Sequence, residues 1–207
     1  GNVWNVGAEL GEGPVWAADA LWFVDIKKQL VHRYEPASGG RRSWMAPEQV
    51  GFLFPAAGGG FVAGLQSGLF RFDPGSGGFD RIVEVEPGLP TNRLNDGVVD
   101  PHGRLWFGTM DNKETDRTGA FYSFRRGKLA RTNVTGIAIT NGPAVSPDGR
   151  TLYWIDTRRG TLSAAAIGDD GGLWDSRLVR KFAPAEGHPD GPTIDAEGCV
   201  WISFYAG

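Results

Sequence analysis

The chain has 207 residues, and several things are scarce in it: one cysteine (Cys199), two methionines and three histidines. A lone cysteine cannot form an internal disulfide and fits a reducing compartment, so the expected location is cytoplasmic. No apolar run approaches the roughly 18 residues of a membrane span, and no secretory signal opens the sequence. The first residue is Gly1 rather than methionine, so the native N-terminus is expected to lie upstream. There is no surplus of positive charge. With 21 basic against 24 acidic residues the net charge is −3 and the pI about 5.6, which argues against nucleic acid or an anionic membrane as partner. Long windows of 3.6-residue periodicity are missing, so little helix is expected. The chain contains no Gly-x-Ser-x-Gly, no Cys–His pairing and no phosphate loop; Gly58-Gly59-Gly60 lacks the following Lys-Ser/Thr and reads as a hairpin turn. His32, His102 and His188 have no zinc spacing, and only His188, near Asp190, is a pocket-wall candidate.

Turn formers and aromatics are abundant. Thirty-two glycines and 13 prolines stand among 12% aromatic residues, the composition of many short strands joined by tight turns rather than of a disordered chain. One pattern recurs. Gly13, Gly51, Gly97, Gly142 and Gly191 each open a short apolar strand, a turn and a second strand, aromatic in every copy. The turns Asp100-Pro101-His102-Gly103, Ser146-Pro147-Asp148-Gly149 and Asp195-Ala196-Glu197-Gly198 place turn residues where a tight turn needs them. Further strands are read at 68–73 and 119–124. The anchors step by 38, 46, 45 and 49 residues, the spacing of β-propeller blades of about four strands. A β-sandwich would not repeat one hairpin five times. The expected fold is all-β, a single propeller domain over 1–207 with roughly four and a half blades. It is incomplete at its C-terminus, because the fifth copy stops 16 residues after Gly191.

The stretch Arg93-Leu94-Asn95-Asp96-Gly97 gathers a cation, an amide and a carboxylate ahead of a glycine. Its Asn-Asp-Gly end has the composition of a turn. Its register tells more. The residues just before the five anchors are Glu12, Val50, Asp96, Asn141 and Asp190, and equivalent blade positions point at one axis. Two carboxylates and an amide, Glu12, Asp190 and Asn141, form an oxygen set for a hard divalent cation, with coordination positions left for water and substrate. Hydrolysis by activated water is the chemistry these residues support.

The motifs Leu10-Gly11-Glu12-Gly13-Pro14-Val15-Trp16, Asn92-Arg93-Leu94-Asn95-Asp96-Gly97, Gly108-Thr109-Met110-Asp111, Thr140-Asn141-Gly142 and Pro189-Asp190-Gly191 resemble those of the gluconolactonase / regucalcin (senescence marker protein) family of six-bladed propellers. The resemblance runs from about residue 8 to 207. It implies a divalent metal (calcium, zinc, manganese or magnesium) bound by Glu12, Asn141 and Asp190. It also implies a sugar lactone contacted by Arg93 and Asn95, and Asp190 as general base. Asp96 becomes a neighbour that shapes the site. Glu114 is a substrate candidate only by proximity, since Asn112-Lys113-Glu114 follows Asp111 where some relatives place a glutamate directly after Gly-Thr-Met. Pro143 stands where leucine is usual. The implied activity is a metal-dependent lactonase yielding an aldonic acid. The alternatives are a calcium-binding regulatory protein without turnover, or a metal-dependent esterase or organophosphate hydrolase.

Overall fold

The computed structural model describes residues 3–205 and is built almost wholly of antiparallel strands. Four sheets are four-stranded meanders in which each strand pairs with the next in sequence. The first is β1 (Gly11–Ala17), β2 (Ala20–Asp25), β3 (Leu30–Glu35) and β4 (Gly40–Met45). The second is β5 (Val50–Pro55), β6 (Phe61–Leu65), β7 (Gly68–Asp73) and β8 (Gly78–Glu84). The third is β9 (Asn92–Val99), β10 (Leu105–Asp111), β11 (Gly119–Arg125) and β12 (Lys128–Ile137). The fourth is β13 (Thr140–Val145), β14 (Thr151–Asp156), β15 (Thr161–Ile167) and β16 (Leu173–Lys181). A two-stranded sheet follows, β17 (His188–Ile194) with β18 (Val200–Tyr205). Four four-stranded sheets and one two-stranded sheet are consistent with the expected four and a half blades. Among the described residues the only helix is one 3-10 turn, Pro184–Glu186, and no helix is long and apolar enough to cross a membrane.

The chain divides into two compact units, Gly1–Val85 and Glu86–Gly207. In the first, β1 packs against β5, and an aromatic core joins the two sheets: Trp22 stacks on Trp44 at 5.4 Å and lies 4.4 Å from Phe61, while Phe72 meets Trp44 edge-on. In the second, β13 packs against both β9 and β17. Trp106, Phe121, Leu152, Trp154 and Ala165 fill the space between the third and fourth sheets. Phe182, Leu162 and Ile155 fill the next interface, with Ile202 against them. Burying one such aromatic or leucine contributes about 2–3 kcal/mol. Strand β10 is buried along its whole length, which explains why Leu105-Trp106-Phe107 runs apolar without alternation.

Two carboxylate positions hold the hairpins together. Asp100 accepts from the backbone N–H of His102 and of Arg104, and its other oxygen accepts from the indole N–H of Trp106 at 3.0 Å. Asp195 repeats this with Glu197, Cys199 and Trp201. The second position ends the middle strands. Asp25 accepts from Glu9, Leu10 and Lys28 N–H groups, Asp111 from Thr115 and Asp116, and Asp156 from Arg159. Burial pushes the carboxyls of Asp25 and Asp111 up, but these N–H groups outweigh it and leave both below the ordinary range.

Candidate active site

Each strand that opens a blade carries a register shift at its anchor glycine, beside a polar residue in all but β5, where Val50 stands. In β9, Leu94 opposes Thr109 and Gly97 opposes Phe107, so Asn95 and Asp96 together face Gly108. In β13 the register slips between Asn141 and Ala144, in β17 between Pro189 and Pro192, and in β1 between Glu12 and Val15. A bulge bends the strand and re-aims the side chain beside it. This corrects the turn reading of Asn95-Asp96-Gly97, which lies inside β9; the turn comes later, at 100–103. Gly13 and Gly142 sit at φ +57° and +77°, the left-handed region where glycine is free of strain. At these two anchors the bulge requires glycine.

In the second unit the bulges bring Arg93, Asn95, Asp96, Asn141 and Asp190 into one network. Arg93 is buried; it donates through Nη1 to Asn95 Oδ1 at 2.5 Å and through Nε to Asn112 Oδ1 at 3.2 Å. Asn95 Nδ2 donates to the Thr140 carbonyl at 2.6 Å and to Asn141 Oδ1 at 3.1 Å. Asn141 Nδ2 donates to Thr157 Oγ1 at 2.8 Å, and that hydroxyl donates to the Pro189 carbonyl at 2.9 Å. The two aspartates are held differently. Asp96 accepts on both oxygens, from Gly97 N–H at 2.7 Å and from Gly142 N–H at 2.9 Å. Asp190, half-buried, accepts from Gly191 N–H on Oδ1 at 2.9 Å, and among the described residues its Oδ2 has no hydrogen bond.

Burial pushes Asp96 up to about 6 against its two N–H donors, and the charge of Asp190 adds to the rise. Burial also raises Asp190. Two carboxylates facing each other with reduced tolerance for charge are an uncompensated negative site. Because the folded pKa of Asp96 lies above its unfolded value of 3.8, protonation favours the folded state, and that stability is lost as pH rises through about 6. In chelator-treated protein, the melting temperature of Asp96→Asn relative to the parent is therefore expected to climb between pH 5 and pH 7.5. A pH-independent difference in a thermal-melt series would contradict this.

The remaining residues fall as follows. Glu114 follows β10 at φ +60°, and its carbonyl accepts from Arg158 Nη2 at 3.2 Å. Tyr205 is raised first by burial, then by the charges of Glu114 and Asp190. His188 is exposed, its ring 5.1 Å from that of Tyr205. His32 is buried in the first unit with Nδ1 on Ser43. Glu12 stands on β1 of the first unit, beside its bulge. Thr157 and Asn112 belong to the network without any motif to announce them. Among the described residues no three His, Cys, Asp or Glu side chains converge as a metal cluster. Asn141 is an amide, so Asp190 and Asn141 offer one carboxylate and one carbonyl oxygen, with the Asp96 carboxylate beside them held on backbone N–H groups. All-oxygen donors of this kind fit a hard divalent cation.

Residues 10–207 match the family model described as SMP-30/Gluconolactonase/LRE-like region. The chain is 32% identical to a 6-deoxy-6-sulfogluconolactonase of Pseudomonas putida over 201 residues, covering 96% of this chain and 69% of that protein. It is 34% identical to an L-arabinolactonase of Azospirillum brasilense over 204 residues, covering 96% and 68%. The solved structure of a calcium-binding protein, regucalcin, from Agrobacterium tumefaciens superposes with a TM-score of 0.90 at 30% identity, covering 96% of this chain and 68% of that one.

Proposed function

This chain belongs to the SMP-30/gluconolactonase/LRE-like family of β-propellers, and from that membership we propose that it hydrolyses a sugar lactone to the aldonic acid. The observation that carries the reading is the unequal pair of carboxylates at the end of the Arg93–Asn95–Asn141 network. Asp96 has both oxygens committed to backbone N–H groups and serves as a fixed charge. Asp190 has one oxygen on the Gly191 N–H and keeps the other for water, as a general base requires. Asp190 takes the proton as the water oxygen attacks the lactone carbonyl carbon. It then returns the proton to the ring oxygen as that C–O bond breaks, leaving an open-chain hydroxy acid. Asn95 and Arg93 hold the sugar, Asn95 through the lone pair left on its Oδ1 and Arg93 by fixing Asn95 and Asn112. Glu114 is assigned to the substrate by its place after Gly108-Thr109-Met110-Asp111 alone. A divalent ion (calcium, zinc, manganese or magnesium) would be held by Asp190 and Asn141, with Glu12 assigned to it by its motif alone, and would supply positive charge to the lactone carbonyl. The similarity to named lactonases of two different sugars supports the substrate class.

Hydrolysis of an aldonolactone panel by the purified chain is expected to fall at least about a hundredfold after EDTA treatment and to return on adding back one divalent metal. Undiminished turnover in stripped protein would overturn the metal assignment. Calcium binding without lactone turnover would make the protein a regulator, and phosphotriester hydrolysis exceeding lactone hydrolysis would make it an esterase of another kind.

A further inference from the structure

We infer that Thr157 is the positioning residue that aims the amide oxygen of Asn141 into the site and ties it to the strand that carries Asp190. The inference rests on the functional reading above for what Asn141 does, but on hydrogen-bond direction alone for how it is held. An asparagine can present either its oxygen or its nitrogen, and the two orientations fill the same space. Here the choice is forced from both ends. Arg93 has only N–H groups to offer, so Asn95 must turn Oδ1 toward it and Nδ2 toward β13. Asn95 Nδ2 therefore meets Asn141 Oδ1, and Asn141 Nδ2 is left facing Thr157. At the other end the Pro189 carbonyl can only accept, so the Thr157 proton points to it and its oxygen lone pairs receive Asn141. Donors and acceptors run in one direction from Arg93 to Pro189, the residue before Asp190. Thr157 is the one hydroxyl in that line. It is 2% exposed and Asn141 7%, so water has little access to replace it.

Valine at 157 keeps the branched shape but can neither accept from Asn141 nor donate to Pro189, whereas serine keeps both roles. Removing such an orienting partner typically costs ten- to a hundredfold in metal affinity. Titrating Mn2+ and Ca2+ calorimetrically into the purified chain, Thr157→Val is expected to bind about ten- to a hundredfold more weakly, and Thr157→Ser to stay within about threefold of the parent. In lactone assays kcat should fall with the affinity while KM changes less than about threefold. A merely structural threonine would lower the melting temperature in both variants without separating kcat from KM. The orientation is read independently from the side-chain amide signals of Asn141 in metal-free protein. Two distinct, slowly exchanging Nδ2 protons are expected in the parent and in Thr157→Ser, collapsing toward free-amide values in Thr157→Val. Parent-like affinity and parent-like amide signals in Thr157→Val would overturn the inference. Should the parent bind no divalent ion and open no lactone, the functional reading falls instead, and the amide signals alone decide the role of Thr157.

Discussion

Replacing Asp190 with asparagine is expected to lower kcat for lactone hydrolysis by about a thousandfold, within the 10²–10⁴ that a positioned base contributes. Asparagine preserves size and can still accept the Gly191 N–H that the Asp190 carboxylate receives at 2.9 Å, so the fold is retained while the proton acceptor is lost. The corresponding change at Asp96 is expected to cost far less, about tenfold, because Asp96 already has both oxygens engaged and shapes the field rather than moving a proton. The pH profile separates the two. The parent rate should fall on the acid side as Asp190 takes up a proton. In Asp190→Asn the acid limb should disappear along with the rate. Equal losses in the two variants, or an unchanged acid limb in Asp190→Asn, would move the base elsewhere.

The second large effect is structural and lies beneath the site. A side chain at Gly108 would place Cβ 2.4 Å from Thr140 Oγ1, 2.6 Å from Thr140 Cβ and 3.0 Å from Phe121. Neither neighbour can yield. Thr140 is fully buried and donates to the Thr109 carbonyl at 3.0 Å, and Phe121 is a wall of the core. Gly108→Val is therefore expected to cost about 3 kcal/mol, at the upper end for overpacking. For a chain of this size that is about 6–12 °C in melting temperature. It should also reduce lactone turnover in the surviving folded fraction, because the Thr140 carbonyl is where Asn95 is anchored. Gly88→Ala is the control: nothing lies within 4 Å of its added carbon, and its melting curve should be unchanged. A Gly108→Val protein as stable as the parent would mean that β10 and β13 are less tightly coupled than these contacts require.

What could be read from the amino acids alone was whatever repeats. A hairpin returning at blade spacing named the all-β propeller, and the residue before each anchor glycine named Glu12, Asp96, Asn141 and Asp190, because a repeated backbone brings equivalent positions to equivalent places. The composition of Asn95-Asp96-Gly97 misled, since the same residues suit a turn or a bulge and only the cross-strand register tells them apart. Tertiary structure alone decided the rest. Burial and the neighbouring charge lifted Asp96 to about 6, unequal backbone donation distinguished Asp96 from Asp190, and a line of hydrogen bonds recruited Thr157, which belongs to no motif. Local sequence carries backbone preference and register; the direction of a hydrogen bond and the cost of a buried charge depend on groups from distant strands and exist only once those strands have packed.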